Sequence, residues 1–257
     1  MADTQSSGSL VTTTKIQLAV DMTCDKCSRE VNLHLKANEN IKNVAVNLEK
    51  QTVILETSLP THEVVQLIES TGKKALVTGV GAAGNEVVNL GSAVAIMHEG
   101  NPASGIRGVT RIVQSTMNTC IIDGTLDGLS PNSAYRLAIH EYGDISDGCI
   151  SCGDVFNCTA VSGLPAYGDL GNILSDKAGR ADFRIQSENR VKVWDIIGRS
   201  MVISSKSNKS LPWFKQACGV IARSAGLFEN CKRICACDGT TIWDEKTSEK
   251  QSRTSQL

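Results

Sequence analysis

The 257-residue sequence predicts an α+β domain, then an all-β domain, then a short polar tail, and three observations carry that prediction. Residues 15–80 switch between period-two and helical hydrophobic spacing; residues 86–219 repeat short period-two runs separated by Gly, Pro, Asn and Asp; residues 223–257 lose periodicity and are rich in Lys, Glu, Ser and Thr. In the first domain Ile16, Leu18 and Val20 alternate with Gln17, Ala19 and Asp21, which predicts a half-buried strand, and a helix follows over 28–38. Val44, Val46 and Leu48, a turn at Glu49-Lys50, then Val53 and Leu55 predict a hairpin. Thr61 stands as N-cap to a helix whose stripe is Val64, Leu67 and Ile68, Gly72 stops it, and Ala75-Leu76-Val77 is a last short strand. The order β-α-β-β-α-β is the ferredoxin-like unit. Gly79-Val80-Gly81-Ala82-Ala83-Gly84 reads as a linker. Beyond it 87–97, 107–116, 120–126, 134–141, 183–185, 190–193 and 198–204 read as strands of a sandwich or barrel. The expected organisation is a flexible 1–14, domains over 15–80 and 81–222, and a tail over 223–257 that is mobile or ordered only on binding.

Composition narrows the function classes. A net charge of -1 provides neither a basic surface for nucleic acid nor a polybasic membrane anchor, so a partner would be recognised by shape and apolar contact. The first fourteen residues lack an apolar signal core, and no run of about eighteen apolar residues occurs, so secretion and a membrane span are not expected. Ten cysteines in a chain expected to be cytoplasmic point to metal binding or redox work more than to a disulfide framework.

Met22-Thr23-Cys24-Asp25-Lys26-Cys27 is the stretch with the most chemistry. Two thiols two residues apart suit a soft, low-coordinate ion such as Cu(I), which prefers thiolate to oxygen. Cys27 falls near a helix N-terminus, whose partial positive charge favours the thiolate. Two rivals share the spacing. A thioredoxin-like dithiol would need a different strand order, and a four-cysteine zinc site would need a second pair, for which only Cys149 and Cys152 have the spacing.

The first domain, with Met22, Cys24 and Cys27, resembles the small heavy-metal-associated copper domain that also recurs in copper-transporting ATPases. The second carries Ile139-His140-Glu141-Tyr142-Gly143-Asp144, Gly148-Cys149, Gly168-Asp169-Leu170-Gly171-Asn172, Gly179-Arg180-Ala181-Asp182, Ile197-Gly198-Arg199 and Ala217-Cys218-Gly219-Val220-Ile221, which resemble the motifs of Cu,Zn superoxide dismutase in order. With Cys235-Ala236-Cys237 in the tail, the chain is similar to the copper chaperones for superoxide dismutase.

The resemblance implies a Greek-key barrel for the second domain and a division of labour. Cys24 and Cys27 would take Cu(I), Cys235 and Cys237 would bind copper or exchange thiols, and Cys149 and Cys218 would form a disulfide stabilising by about 2 to 4 kcal/mol. Tyr142, Gly143, Ile197 and Gly198 would mark a self-complementary face that forms a homodimer at rest and a heterodimer with immature dismutase. The family pattern also implies an upstream copper transporter as donor, and a minor pool in the mitochondrial intermembrane space. Departures are as informative. Ala138, His140, Val155 and Ser204 stand where the dismutase copper ligands would be; Val155, Ala166 and Asp169 stand at zinc positions, and Lys215 replaces the guiding arginine. One imidazole or one carboxylate does not hold a metal that needs three or four ligands, so zinc is not expected there.

Two other classes compete: a dismutase with an appended copper domain, which the missing ligands oppose, and a copper-binding thiol oxidoreductase or copper buffer without a dedicated partner. Cys120, Cys152 and Cys158 read as core or incidental thiols, and Cys149 and Cys218, without the motif match, would read the same way. His34 and His62 are expected in solvent and His140 as a hydrogen-bonded remnant, while Cys231 has no assigned role.

Overall fold

The computed structural model describes residues 12–84, 89–100, 105–158, 165–206, 213–230 and Trp243. The first domain is built from β1 (Thr14–Val20), α1 (Asp25–Lys36), β2 (Ile41–Asn47), β3 (Thr52–Thr57), α2 (Thr61–Glu69) and β4 (Ala75–Ala82). Its four strands form an antiparallel sheet in the order β2-β3-β1-β4, the ferredoxin-like arrangement. Ile16, Leu18 and Val20 of β1 meet Val31 and Leu35 of α1 and Val64 and Ile68 of α2 in one buried core. The alternation along β1 and the 3.6-residue stripes on the helices thus point at the same layer.

The second domain comprises β5 (Ser92–Met97), β6 (Glu99–Gly100), β7 (Arg107–Gln114), β8 (Thr119–Asp127), β9 (Ala134–His140), β10 (Ser146–Cys149), β11 (Asp169–Leu174), β12 (Ala181–Glu188), α3 (Val193–Ile196), β13 (Ser200–Ser205) and β14 (Phe214–Arg223). Eight strands follow the order β11-β9-β13-β14-β5-β7-β8-β12, with β6 on β14, and β11 approaches β12 to nearly close a barrel. Ile112, Ile122, Leu126, Leu137, Ile139, Met201 and Ile203 fill its interior. Near-closure leaves few unpaired strand edges.

Several elements differ from the expectation. The segment 79–84 does not act as a linker from its start: β4 continues to Ala82, pairing Thr14 with Ala82 and Ile16 with Val80. Its glycines serve close approach, because a Cβ on Gly79 would lie 2.4 Å from the Gly226 carbonyl oxygen and one on Gly81 would lie 2.9 Å from Leu227 Cδ1. The start of the tail is therefore not loose. Leu227 is buried and the Phe228 N–H donates to Gln17 Oε1 at 2.7 Å. Residues 190–193 form no strand; the chain turns into the short α3, and Val193 N–H bonds to Gln114 Oε1 at 2.9 Å.

The N-cap of α2 is likewise not Thr61. Pro60 holds that position, and the buried Thr61 directs both its N–H, at 2.7 Å, and its hydroxyl to Asp123 Oδ2 of β8. A carboxylate from the barrel thus caps a helix of the first domain, satisfying N–H groups that helix geometry leaves open. Arg184 of β12 donates from Nη2 to Thr12 O (3.1 Å) and Thr14 Oγ1 (3.2 Å), while its Nη1 lies 4.0 Å from Asp123. Val113 of β7 joins the first domain's core cluster, so the domains meet through apolar as well as polar contact.

Candidate metal centre

The loop between β1 and α1 is anchored before it reaches the thiols. The N–H groups of Val20 and Asp21 bond to the carbonyls of Gln51 and Lys74, each at 2.9 Å, and Gln51 Nε2 donates to Met22 O at 3.1 Å. Met22 is buried in the domain core. Its thioether therefore secures the loop base rather than pointing at the surface with the thiols. Cys24 is the extended N-cap residue of α1 and makes no side-chain capping bond; Cys27 is the third helical residue.

The two sulfurs lie 3.1 Å apart, with Cys24 exposed and Cys27 half-buried, and Thr23 Oγ1 is 3.8 Å from Cys27 Sγ. The Cys27 thiol is lowered from 9.0 to about 7, first by its bond with Cys24 and then by the Thr23 backbone; burial opposes this, and the Thr23 hydroxyl and the Lys73 charge add smaller shares. A thiolate ready at neutral pH beside a second thiol is the donor pair that a soft cation takes. Among the described residues no group of three or more His, Cys, Asp and Glu converges on a metal-sized space, which leaves this pair without a third side-chain ligand.

In the barrel, the residues at the dismutase ligand positions are otherwise engaged. His140 Nδ1 donates to Gly153 O at 2.8 Å; burial, followed by the nearby Lys215 and Arg136, holds its imidazole below the usual range despite that bond. Asp169 is held by Arg136, from Nη2 at 2.8 Å and from Nε at 3.3 Å. Burial opposes ionisation, yet the guanidinium and the Gly171 N–H keep the Asp169 carboxyl below the usual carboxylate range. Lys215 Nζ donates to Gly153 O at 2.7 Å. Sequence reasoning did not single out Arg136, whose position on β9, paired across the ladder with Asn172, emerges only from strand register. Of the two histidines expected in solvent, His34 is exposed, with Nε2 3.0 Å from Ser70 Oγ, whereas His62 is half-buried between the domains with an unpartnered Nε2, its pKa lowered chiefly by burial.

The structure links Cys149 of β10 to Cys218 of β14 by a disulfide. It also gathers Tyr142, Gly143, Ile197 and Gly198 on one face. A Cβ on Gly143 would lie 2.3 Å from Gly198 O, and the Tyr142 and Ile197 side chains are 58% and 43% exposed. The chain there is fastened by Ser200 Oγ to Tyr142 O and Arg199 Nη1 to Glu141 O, both at 2.7 Å. Cys235 and Cys237, with Cys231, lie outside the described residues; on one side of them Phe228 bonds to Gln17, and on the other the Trp243 carbonyl accepts from Lys74 Nζ at 3.4 Å. Cys120 is buried, and burial pushes its thiol up to about 12, while Cys158 is exposed.

A paired-thiol ferredoxin-like domain joined to a near-closed barrel of dismutase type defines a class of two-domain chain, and comparison with known proteins gives the same division. Residues 17–74 match the heavy-metal-associated domain, and residues 106–221 match copper/zinc superoxide dismutase. The copper chaperone for superoxide dismutase of Mus musculus is 43% identical over 93% of this chain and 92% of its own length. That of Homo sapiens is 42% identical over 95% and 92%, and the superoxide dismutase 1 copper chaperone of Saccharomyces cerevisiae is 32% identical over 89% and 92%. The chain belongs to the family of copper chaperones for superoxide dismutase.

Proposed function

We propose that this protein carries Cu(I) as cargo on Cys24 and Cys27, delivers it to immature Cu,Zn superoxide dismutase, and promotes formation of that partner's intrasubunit disulfide through Cys235 and Cys237. The observation that carries the reading is the thiol pair, 3.1 Å apart at the start of α1 with one member titrating at about 7. Two soft ligands in an exposed loop bind a copper ion and leave it open to attack by a competing ligand, as a carrier requires. The barrel serves as a docking surface: its Asp169 is neutralised by Arg136 and its His140 is held by a backbone carbonyl, so it does not compete for the cargo. The face around Tyr142, Gly143, Ile197 and Gly198 pairs two copies at rest and one copy with a dismutase subunit during delivery, in the cytosol with copper supplied by an upstream transporter.

A tail pair tethered to a docked partner reaches an effective concentration of roughly millimolar, enough for exchange through a mixed disulfide. The test is dismutase maturation across a copper titration, with non-reducing gels following the partner's thiols. Cys24→Ser with Cys27→Ser should lose maturation when copper is scarce and recover it with added copper. Cys235→Ser with Cys237→Ser should lose it at every copper level, the partner docked but lacking its disulfide; full maturation by that variant would overturn the tail's assignment.

A further inference from the structure

The barrel contains a third thiol beside its disulfide. Cys152 is fully buried, and it packs with Cys149, Cys218 and Val202, with Ile145 against them, in a small cluster separate from the main core. Cys152 is unpaired, and Cys149-Ile150-Ser151-Cys152 is a second CxxC in the chain. Three sulfurs in one water-excluded cluster, of which two are bonded, are the reactants of an internal thiol–disulfide exchange, which needs a thiolate able to approach a neighbouring disulfide and no outside oxidant or reductant.

We propose that Cys152 isomerises the Cys149–Cys218 disulfide to a Cys149–Cys152 disulfide and frees Cys218. Cys152 Sγ attacks Cys149 Sγ; the Cys149–Cys218 bond breaks as the Cys149–Cys152 bond forms, and the proton lost by Cys152 is taken up by the departing Cys218 sulfur. No electrons leave the protein. Cys149 rather than Cys218 is the sulfur attacked because it stands at a strand end three residues from Cys152, whereas Cys218 stands mid-strand. The main chain at Cys152 is pinned: its carbonyl accepts from Tyr142 N–H at 3.0 Å, and the next carbonyl, of Gly153, accepts from Lys215 Nζ and His140 Nδ1 at 2.7 and 2.8 Å. Cys218 is fixed inside β14, between the ladders to β13 and β6. Cys149 ends β10 at the edge of an open groove of 480 Å³ with Trp213, Phe214 and Lys215, and its neighbour Ile150 is 75% exposed. Attack at Cys149 therefore leaves the ladders of β14 to β13 and β6 in place.

The exchange removes the covalent tie between residues 141–156 and β14, and that segment also carries Tyr142 and Gly143. The chemistry stands independently of any docking role for that face.

The experiment uses the full-length chain with Cys149–Cys218 oxidised, incubated with N-ethylmaleimide and sampled over time for tryptic mapping. Cleavage after Arg136, Lys177, Lys215 and Arg223 places Cys149, Cys152 and Cys158 in one peptide and Cys218 in another. The resting disulfide therefore joins two peptides, and the isomer yields an alkylated Cys218 peptide beside an internally bridged one. The expected result is alkylated Cys218 that accumulates with first-order kinetics independent of protein concentration. It should fall at least about tenfold in Cys152→Ala and be unchanged in Cys158→Ser. Absence of Cys218 alkylation in the unaltered protein, equal alkylation in Cys152→Ala, or alkylation at Cys149 with the two peptides still joined would each overturn the proposal, the first without reference to how any variant folds.

Discussion

Replacing Cys24 by Ala removes the hydrogen bond that contributes most to holding the Cys27 thiol at about 7 instead of 9.0. At pH 7 a thiol titrating at about 7 is about half ionised and one at about 9 is about 1% ionised, roughly a 50-fold difference in thiolate. Intrinsic nucleophilicity falls with pKa with a Brønsted coefficient of about 0.5, so a two-unit depression removes about tenfold of that advantage and leaves about fivefold at neutral pH. The two effects separate along the pH axis. In metal-free protein, iodoacetamide alkylation resolved at Cys27 by mass spectrometry should rise with a midpoint near pH 7 in the wild type. In Cys24→Ala the midpoint should move toward 9, stopping short of it because Thr23 and Lys73 remain. The variant should be slower at pH 7 yet faster on its high-pH plateau, so the two curves cross. A depressed folded-state pKa favours the thiolate, so the stability it lends is full above the unfolded-state value and is lost as pH falls through about 7. Copper capture should weaken over that same window as protons compete for the sulfur. Identical midpoints in the two proteins, or a wild-type midpoint near 9, would refute the reasoning.

Asp123→Ala strips the carboxylate that caps α2 and faces Arg184, at a site where the Asp123 side chain is only 6% exposed. Leaving buried cationic groups unpaired should cost about 3 to 5 kcal/mol in urea unfolding of the full chain, and a loss below about 1 kcal/mol would contradict an interdomain role. For the docking face, Gly143→Glu is a poor probe because a Cβ there meets the Gly198 carbonyl at 2.3 Å, whereas Ile197 is 43% exposed. Ile197→Glu should therefore give monomers in sedimentation with copper binding at Cys24 and Cys27 intact; a persistent dimer would place the interface elsewhere.

What was readable in the sequence was local. The alternation of Ile16, Leu18 and Val20, the helical stripe of Val64, Leu67 and Ile68, and the placement of Cys27 near a helix start all depend on spacing within a few residues, and the burial of those apolar residues follows the period of the element that carries them. The thiol pair was legible for the same reason, since both cysteines lie on one turn of chain. The missed features join residues that are distant in sequence. Asp123 caps α2 from 62 positions away, and Phe228 reaches Gln17 across 211. Arg136 occupies Asp169 because β9 and β11 pair in one register, and the glycines of β4 serve the tail segment laid across them, not a hinge. The sequence by itself thus determined the elements of the first domain, their order and the paired-thiol motif, because hydrophobic period and thiol spacing are short-range properties. Only the tertiary structure decided how the domains are fastened, what neutralises the barrel's leftover carboxylate, and that a third sulfur sits beside the disulfide. Those contacts depend on which distant strands become neighbours, and no local pattern in the chain specifies it.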